Sequence, residues 1–185
     1  MRAVVLVRAA PIAPGEASMT HDRNRAFILP AVQVFDGVAS VTVGDTLLTL
    51  WKAPARAARI RHVTEVASAL VRGREGSIAA CQFLLPSASP PRLQERSEII
   101  AGLDVVMPRA RRLVTTPLGD AAWQAVVRSV MRAGLFLIGQ STLVKVAANA
   151  AEAFELLGQV SSEESPGHHE LEGALHALYD ALKAP

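Results

Sequence analysis

A single cysteine, Cys81, stands among 185 residues, so the chain can build neither a disulfide framework nor a multi-thiolate metal site. Aromatic residues make up only 4%, too few for the stacking platforms that hold single-stranded nucleic acid. No run of about 18 uncharged apolar residues occurs, which argues against a membrane-spanning helix. Phosphate-cradling loops are missing too: there is no Gly-x-Gly-x-x-Gly and no Gly-Lys-Ser/Thr. A Gly-x-Ser-x-Gly nucleophile turn is also absent, and no histidine sits beside one. What is present is a chain 50% hydrophobic and 19% charged, which suits a packed domain with extensions and excludes wholesale disorder.

Charge is unevenly placed. Residues 1–150 carry 18 Lys+Arg against 10 Asp+Glu, whereas residues 151–185 carry Lys183 against seven acids, a balance of −6. A basic body with an acidic tail is a pattern of anionic partners, nucleic acid included. The excess is nearly all arginine and is dispersed along the chain, which with the few aromatics argues against nucleic acid. Cys81 lies in the apolar run Ile78-Ala79-Ala80-Cys81-Gln82-Phe83 and reads as a buried structural thiol, in keeping with a reducing cytoplasm.

Residues 1–30 are expected to form a disordered extension. Val4 to Val7 is too short for a secretory segment, and Pro11, Pro14, Gly15 and Ser18 break regular structure. Met19 is a second candidate start. From 31 onward, a body to residue 160 is expected. Val38–Val43 and Thr46–Trp51 are rich in β-branched residues and flank Gly44-Asp45, a two-residue hairpin signal of type II′. Pro54 opens a helical stretch with Ile60, Val63, Ala67, Leu70 and Val71 at helical spacing, ended by Gly73 and Gly76. Ile78 to Leu85 reads as a buried strand stopped by Pro86.

Ser89 before Pro90-Pro91 reads as the N-cap of a second helix with Leu93, Ile100, Leu103 and Met107 as its core stripe, closed by Pro108. Arg112–Thr116 is a further strand. Asp120 caps a long helix in which Trp123, Val126, Val127, Val130, Met131, Gly134 and Leu135 are the expected core stripe. Leu143–Val146 forms the last strand. Asn149 with Glu152 is a capping-box-like start for a helix carrying Phe154, Leu157 and Val160. Residues 161–167 form a polar linker. Residues 168–185 form an amphipathic tail helix, with Leu171, Ala174, Leu175, Leu178 and Leu182 facing the body or a partner.

The order is ββαβαβαβα plus the tail helix: a mixed, largely parallel α/β sheet with an N-terminal antiparallel hairpin. With Leu47-Leu48-Thr49-Leu50-Trp51 leading into an amphipathic helix, and the Trp123–Leu135 helix, Leu143–Val146 strand and Asn149–Val160 helix after it, residues 38–160 resemble the STAS domain of bacterial anti-anti-sigma factors. The resemblance implies a non-enzymatic, cytoplasmic regulatory module that binds a protein partner. It also implies a phosphorylatable Ser or Thr at the start of the helix after the middle strand, within an Asp-Ser-Ser/Thr-Gly type of sequence. The matching segment is Pro86-Ser87-Ala88-Ser89-Pro90-Pro91, where the Asp and Gly of that motif are absent.

Few residues offer chemistry. Asp120 is the one acid expected at the carboxyl end of a strand, where open α/β sheets place their sites, while Ser87 and Ser89 enter through the segment that the resemblance matches to the phosphorylation motif. Ser89 and Asp120 are equally explained as caps. Arg128 and Arg132, four apart, could grip an anion or an acidic partner, or form a solvated face. His169, Glu172 and His176 would share one face of the tail helix, a spacing that permits metal ligation but lacks any anchor from the body. No metal, cofactor or catalytic residue is therefore assigned. The alternative function is a sensor or carrier of a nucleotide, lipid or anion, using helix N-termini near Ser87–Ser89 and Gly119–Ala121. The tail helix is a candidate for homodimerisation or autoinhibition.

Overall fold

The structure, a computed structural model, describes residues 31–89, 91, 93–138 and 142–184. The expected extension, residues 1–30, lies outside the described residues. Six strands form one sheet: β1 (Gln33–Phe35), β2 (Val38–Val43), β3 (Thr46–Trp51), β4 (Ile78–Leu84), β5 (Ala110–Pro117) and β6 (Val144–Val146), side by side in chain order. β1, β2 and β3 pair antiparallel, and β3 to β6 pair parallel. Five helices accompany them: α1 (Ala57–Arg72), α2 (Arg96–Val106), α3 (Ala121–Ile138), α4 (Ala150–Gly158) and α5 (His168–Lys183). The mixed α/β architecture read from the sequence is the one observed.

The hairpin forms as expected, with Val43 opposite Thr46 and Gly44 at φ +53° as the first central residue of its turn. β1 is an addition. It pairs with β2 through the turn Asp36-Gly37, where both residues take positive φ (46° and 80°), as a type I′ turn requires. Asp-Gly is a strong hairpin signal, but it is flanked on one side by only three strand residues.

Because strand order never reverses, right-handed crossovers place α1, α2 and α3 on one face of the sheet. Alternation along the strands then divides the core. Leu47, Ile78 and Val106 pack with Val66, Ala67 and Leu70 of α1 on that face. Leu48, Leu50, Ala79, Cys81, Phe83 and Val114 point the other way and meet Phe154 and Leu157 of α4 and Leu171, Ala174, Leu175 and Leu178 of α5. The rings of Phe83 and Phe154 meet edge to face at 5.9 Å. α5 thus docks on the body, lying over β2 and β3. β2 and β3 need cover on both faces, which is why nearly every residue in them is buried.

Two helices differ from expectation. α2 begins at Arg96 after a 3-10 turn at Leu93–Glu95, and Ser89 does not cap it. The backbone of Ser89 is held instead in the turn after β4: its N–H donates to Ser87 O and its carbonyl accepts from Ala55 N–H. Its packing face is also rotated. Ile99 and Val106 pack inward while Ile100 is exposed, because α2 presses on α1 at Gly102, where a Cβ would stand 2.5 Å from Thr64 Oγ1. In α3, only Val127 of the described stripe is buried. Val126 and Val130 are exposed, since α3 lies over β5 and β6 at the sheet's edge and, among the described residues, no helix flanks it as α1 flanks α2.

The α5 face of the core is expected to be sensitive to cavities. Leu178→Ala, at a fully buried position, should cost roughly 2–5 kcal/mol in urea denaturation, whereas Leu182→Ala at the partly exposed end of α5 should cost clearly less.

Candidate functional site

The parallel strands deliver two of the sequence-selected segments to one end of the sheet. Ser87 follows β4 and Asp120 follows β5, and the two loops touch at Gly119, where a Cβ would stand 2.8 Å from Pro86 Cγ and 3.0 Å from Trp123 Cδ1. The backbone stitches the strand tips together: Leu85 N–H donates to Trp51 O at 3.0 Å and Leu118 N–H to Leu84 O at 2.8 Å. The expected residues are therefore neighbours along this rim.

Their polar atoms are already engaged. Ser87 Oγ donates to Lys52 O at 2.6 Å. Asp120 Oδ1 accepts from Trp123 N–H at 2.8 Å, the N-cap that its position before α3 demands. Arg128 folds along its own helix, donating to Gln124 O at 3.2 Å and Gln124 Oε1 at 3.4 Å. The Arg132 side chain lies outside the described part of the structure. The acids at these helix starts bear on the anion reading. Asp120 holds the N-terminus of α3, and buried Glu95, the residue before α2, makes no side-chain cap but faces Arg56 at 3.4 Å. A carboxylate already sits where a bound anion would gain from the helix dipole.

A depression of about 350 Å³ opens beside this rim, lined by Val34, Asp36, Gly37, Lys52 and the end of α5 at Leu182. Its one cation, Lys52, donates to Leu182 O at 3.1 Å and so caps the last turn of α5. Arg59 holds the opposite lip, bonding Asp36 Oδ2 and Asp36 O, each at 2.7 Å. In the tail, Glu172 pairs with His168 at 3.3 Å, while His169 and His176 are exposed. Among the described residues no three His, Cys, Asp or Glu side chains gather as a metal site, and no helix is long and apolar enough to cross a membrane.

The densest polar cluster lies at the other end of the sheet, where none was expected. Asp45, in the β2–β3 turn, is only 2% exposed. Its Oδ1 accepts from Arg111 Nη2 at 2.7 Å and Thr46 Oγ1 at 3.0 Å, and its Oδ2 from Ser162 Oγ at 2.5 Å and Ser165 Oγ at 3.2 Å. Arg111 also donates to Ser165 Oγ at 2.9 Å and Ser77 O at 2.8 Å. Arg74 pairs with Glu164. The segment expected as a polar linker is fastened across the amino ends of β3, β4 and β5. Gly44 is required here because a Cβ would collide with Glu164 O. Burial raises the pKa of Asp45, but the bonds from Arg111 and Ser162, the Arg111 charge and Thr46 outweigh it, holding the carboxyl below its ordinary value. A carboxylate so enclosed has no face left for a substrate. Its role is to lock the path from α4 to α5. Only Gly44-Asp45 marked the place in the sequence. Its partners other than the adjacent Thr46 lie 66 to 120 positions away, beyond any local pattern.

Cys81 is inert by the same logic of burial. Its thiol sits 3.8 Å from Thr116 Oγ1, and desolvation pushes its pKa to about 12. It should react with a thiol reagent only at the rate of unfolding, and reaction of the native protein at the rate of a free thiol would contradict this placement.

Asp45→Asn leaves Arg111 buried without its counter-charge and should cost roughly 3–5 kcal/mol at neutral pH. Because the folded carboxyl titrates below the unfolded one, its contribution is present above the ordinary carboxylate range and is lost as pH falls through the folded value. Melting curves should therefore show an acid-side loss of stability in the native protein that is reduced in Asp45→Asn.

Compared with family models, curated proteins and solved structures, the chain matches none of them.

Proposed function

We propose that the chain is a non-enzymatic, STAS-like regulatory module that works by docking a protein partner on α3. The observation that carries this reading is the ridge formed by Val126 and Val130, 52% and 49% exposed. They lie four apart, one turn of helix, beside the buried Val127, so they form a continuous apolar flank rather than scattered exposure. Adjoining exposed apolar side chains of this kind are what a docking surface presents.

The rim at the strand ends supports the same view from the opposite side. A catalyst needs a nucleophile, base or acid free to meet a substrate, and Ser87, Asp120 and Arg128 are each bonded to their own backbone or helix. The departure of Pro86-Ser87-Ala88-Ser89 from the family's phosphorylation motif fits a module that docks without that switch. The alternative, a nucleotide, lipid or anion sensor, has less behind it: of the helix starts it would use, the one near Gly119–Ala121 is occupied by Asp120, α2 begins at Arg96 rather than at Ser87–Ser89, and the depression beside Lys52 is open and has its cation committed.

A photoreactive amino acid placed at Val126 should yield a protein adduct of defined mass in host cells, and the same group at exposed Glu75, remote from α3, should not. Absence of any adduct at Val126, or equal labelling at both positions, would overturn docking on α3.

A further inference from the structure

The crossover face of the sheet is not evenly covered. Along β4 the residues turned towards α4 and α5, Ala79, Cys81 and Phe83, are buried, whereas Ala80, Gln82 and Leu84, turned towards the crossover helices, are only half-buried. Leu113 of β5 is half-buried as well. Among the described residues α2 packs on α1 and much less on α3, so the uncovered strip lies between α2 and α3. Its floor carries one polar pair, Gln82 Nε2 donating to Thr115 Oγ1 at 2.7 Å.

Helical geometry turns the exposed apolar side chains of both helices into this strip. At about 100° per residue, Glu98 and Gly102 of α2 share the flank that meets α1, where Glu98 pairs with Arg61 and Gly102 lies close against Thr64. Ile100 stands about 160–200° round from both, so it faces α3, with Leu103 and Met107 beside it. α3 runs parallel to α2, since both are crossovers between parallel strands. Glu98 and Gly102 are turned about 80° and 40° back from inward-facing Val106, and Val126 and Val130 about 100° and 60° back from inward-facing Val127, in the same sense. Val126 and Val130 therefore face α2, and Arg128 faces away from it. Ile100, 56% exposed, and the Val126–Val130 flank are thus the two walls of one apolar groove, with half-buried Trp123 at the end nearer the strand tips.

Resting on the reading of this flank as a docking surface, we propose that Val4-Val5-Leu6-Val7 of the same chain occupies the groove, and that a partner must displace it. Thirty residues precede Ala31, where the described body begins beside the edge strand β1. They hold two runs of large apolar residues, Val4–Val7 and Phe27–Leu29. The groove lies three to four strand spacings away, about 14–19 Å along the sheet, with about 10 Å more to clear α1. Phe27–Leu29, next to Pro30 and Ala31, cannot cross that distance. Residues 8–30 extend to about 75 Å and bridge it with slack. Val4–Val7, extended at about 3.3 Å per residue, is about 13 Å long, against about 11 Å from Trp123 to Val130 along α3. The run brings no charge to bury, and Arg2 and Arg8 bracket it at the groove's two ends.

The photoreactive residue at Val126 tests this in the purified full chain. Irradiated at micromolar concentration, the chain should give a product with the mass of one chain, in which the tryptic peptide Ala3–Arg8 is joined to the α3 peptide that ends at Arg128. Val5→Asp with Leu6→Asp should abolish that product and, in host cells, raise the protein adduct at Val126 severalfold by opening the groove. Circular dichroism confirms that the body stays folded. No product joining Ala3–Arg8 to α3, a product with the mass of two chains, or one that survives Val5→Asp with Leu6→Asp would overturn the self-occupied groove. If the purified chain gives no such product while cells give a protein adduct at Val126, self-occupancy falls and docking on α3 stands. If the product forms but cells give no protein adduct even with Val5→Asp and Leu6→Asp, the partner falls and the self-occupied groove stands.

Discussion

A sheet whose strands run in chain order has all its crossover helices on one side, and the rest of this molecule follows from that constraint. Right-handed connections carry α1, α2 and α3 across the same face, so β2, β3 and β4 would present Val41, Leu48, Leu50, Cys81 and Phe83 to water on the other. α4 and α5 exist to cover that face. The chain reaches it by turning back after β6 and running α4, a short bridge and α5 across the sheet towards the hairpin. The same order removes the strand-order reversal that makes a crevice in doubly wound sheets, which accounts for a rim of satisfied loops at the carboxyl ends rather than a deep pocket.

The bridge is where a second-face cover is most easily lost, and it is there that the described residues place an elaborate polar network. Asp45, Arg111, Ser162 and Ser165 join the hairpin turn, the start of β5 and the α4–α5 connection. Two buried charges are costly to desolvate, and the cost is offset only because each is also hydrogen-bonded: Asp45 accepts four bonds, and Arg111 gives bonds to Ser165 and Ser77 as well. Such a network contributes more to the choice of path than to raw stability, since apolar contacts alone would let the connection slide.

Where the molecule leaves apolar surface uncovered is equally informative. α3 sits over β5 and β6, and among the described residues its Val126–Val130 flank is exposed. The acidic charge gathered on α4 and α5 lies on the far side of β5.

Much of this was legible in the residues. Gly44-Asp45 between two β-branched runs determines the hairpin because few residues reach positive φ cheaply. The spacing of Ile60, Ala67 and Leu70 and of Leu171, Ala174, Leu175 and Leu178 determines α1 and α5 and the faces they bury, and Asn149 and Asp120 mark where α4 and α3 begin. Local sequence also carried Asp36-Gly37, although three flanking residues are too few to separate a strand from a loop. Periodicity did not reveal that Val126, Val130 and Ile100 face outward, since a helical stripe shows which residues share a side but not whether a neighbour lies against it. Nor could it show that residues 161–167 are fastened to Asp45 and Arg111. Turn chemistry, capping and helical period are local and can be read from neighbours in the chain, whereas burial, ion pairing and the hydrogen bonds of the Asp45 cluster depend on segments that only the packed sheet brings together.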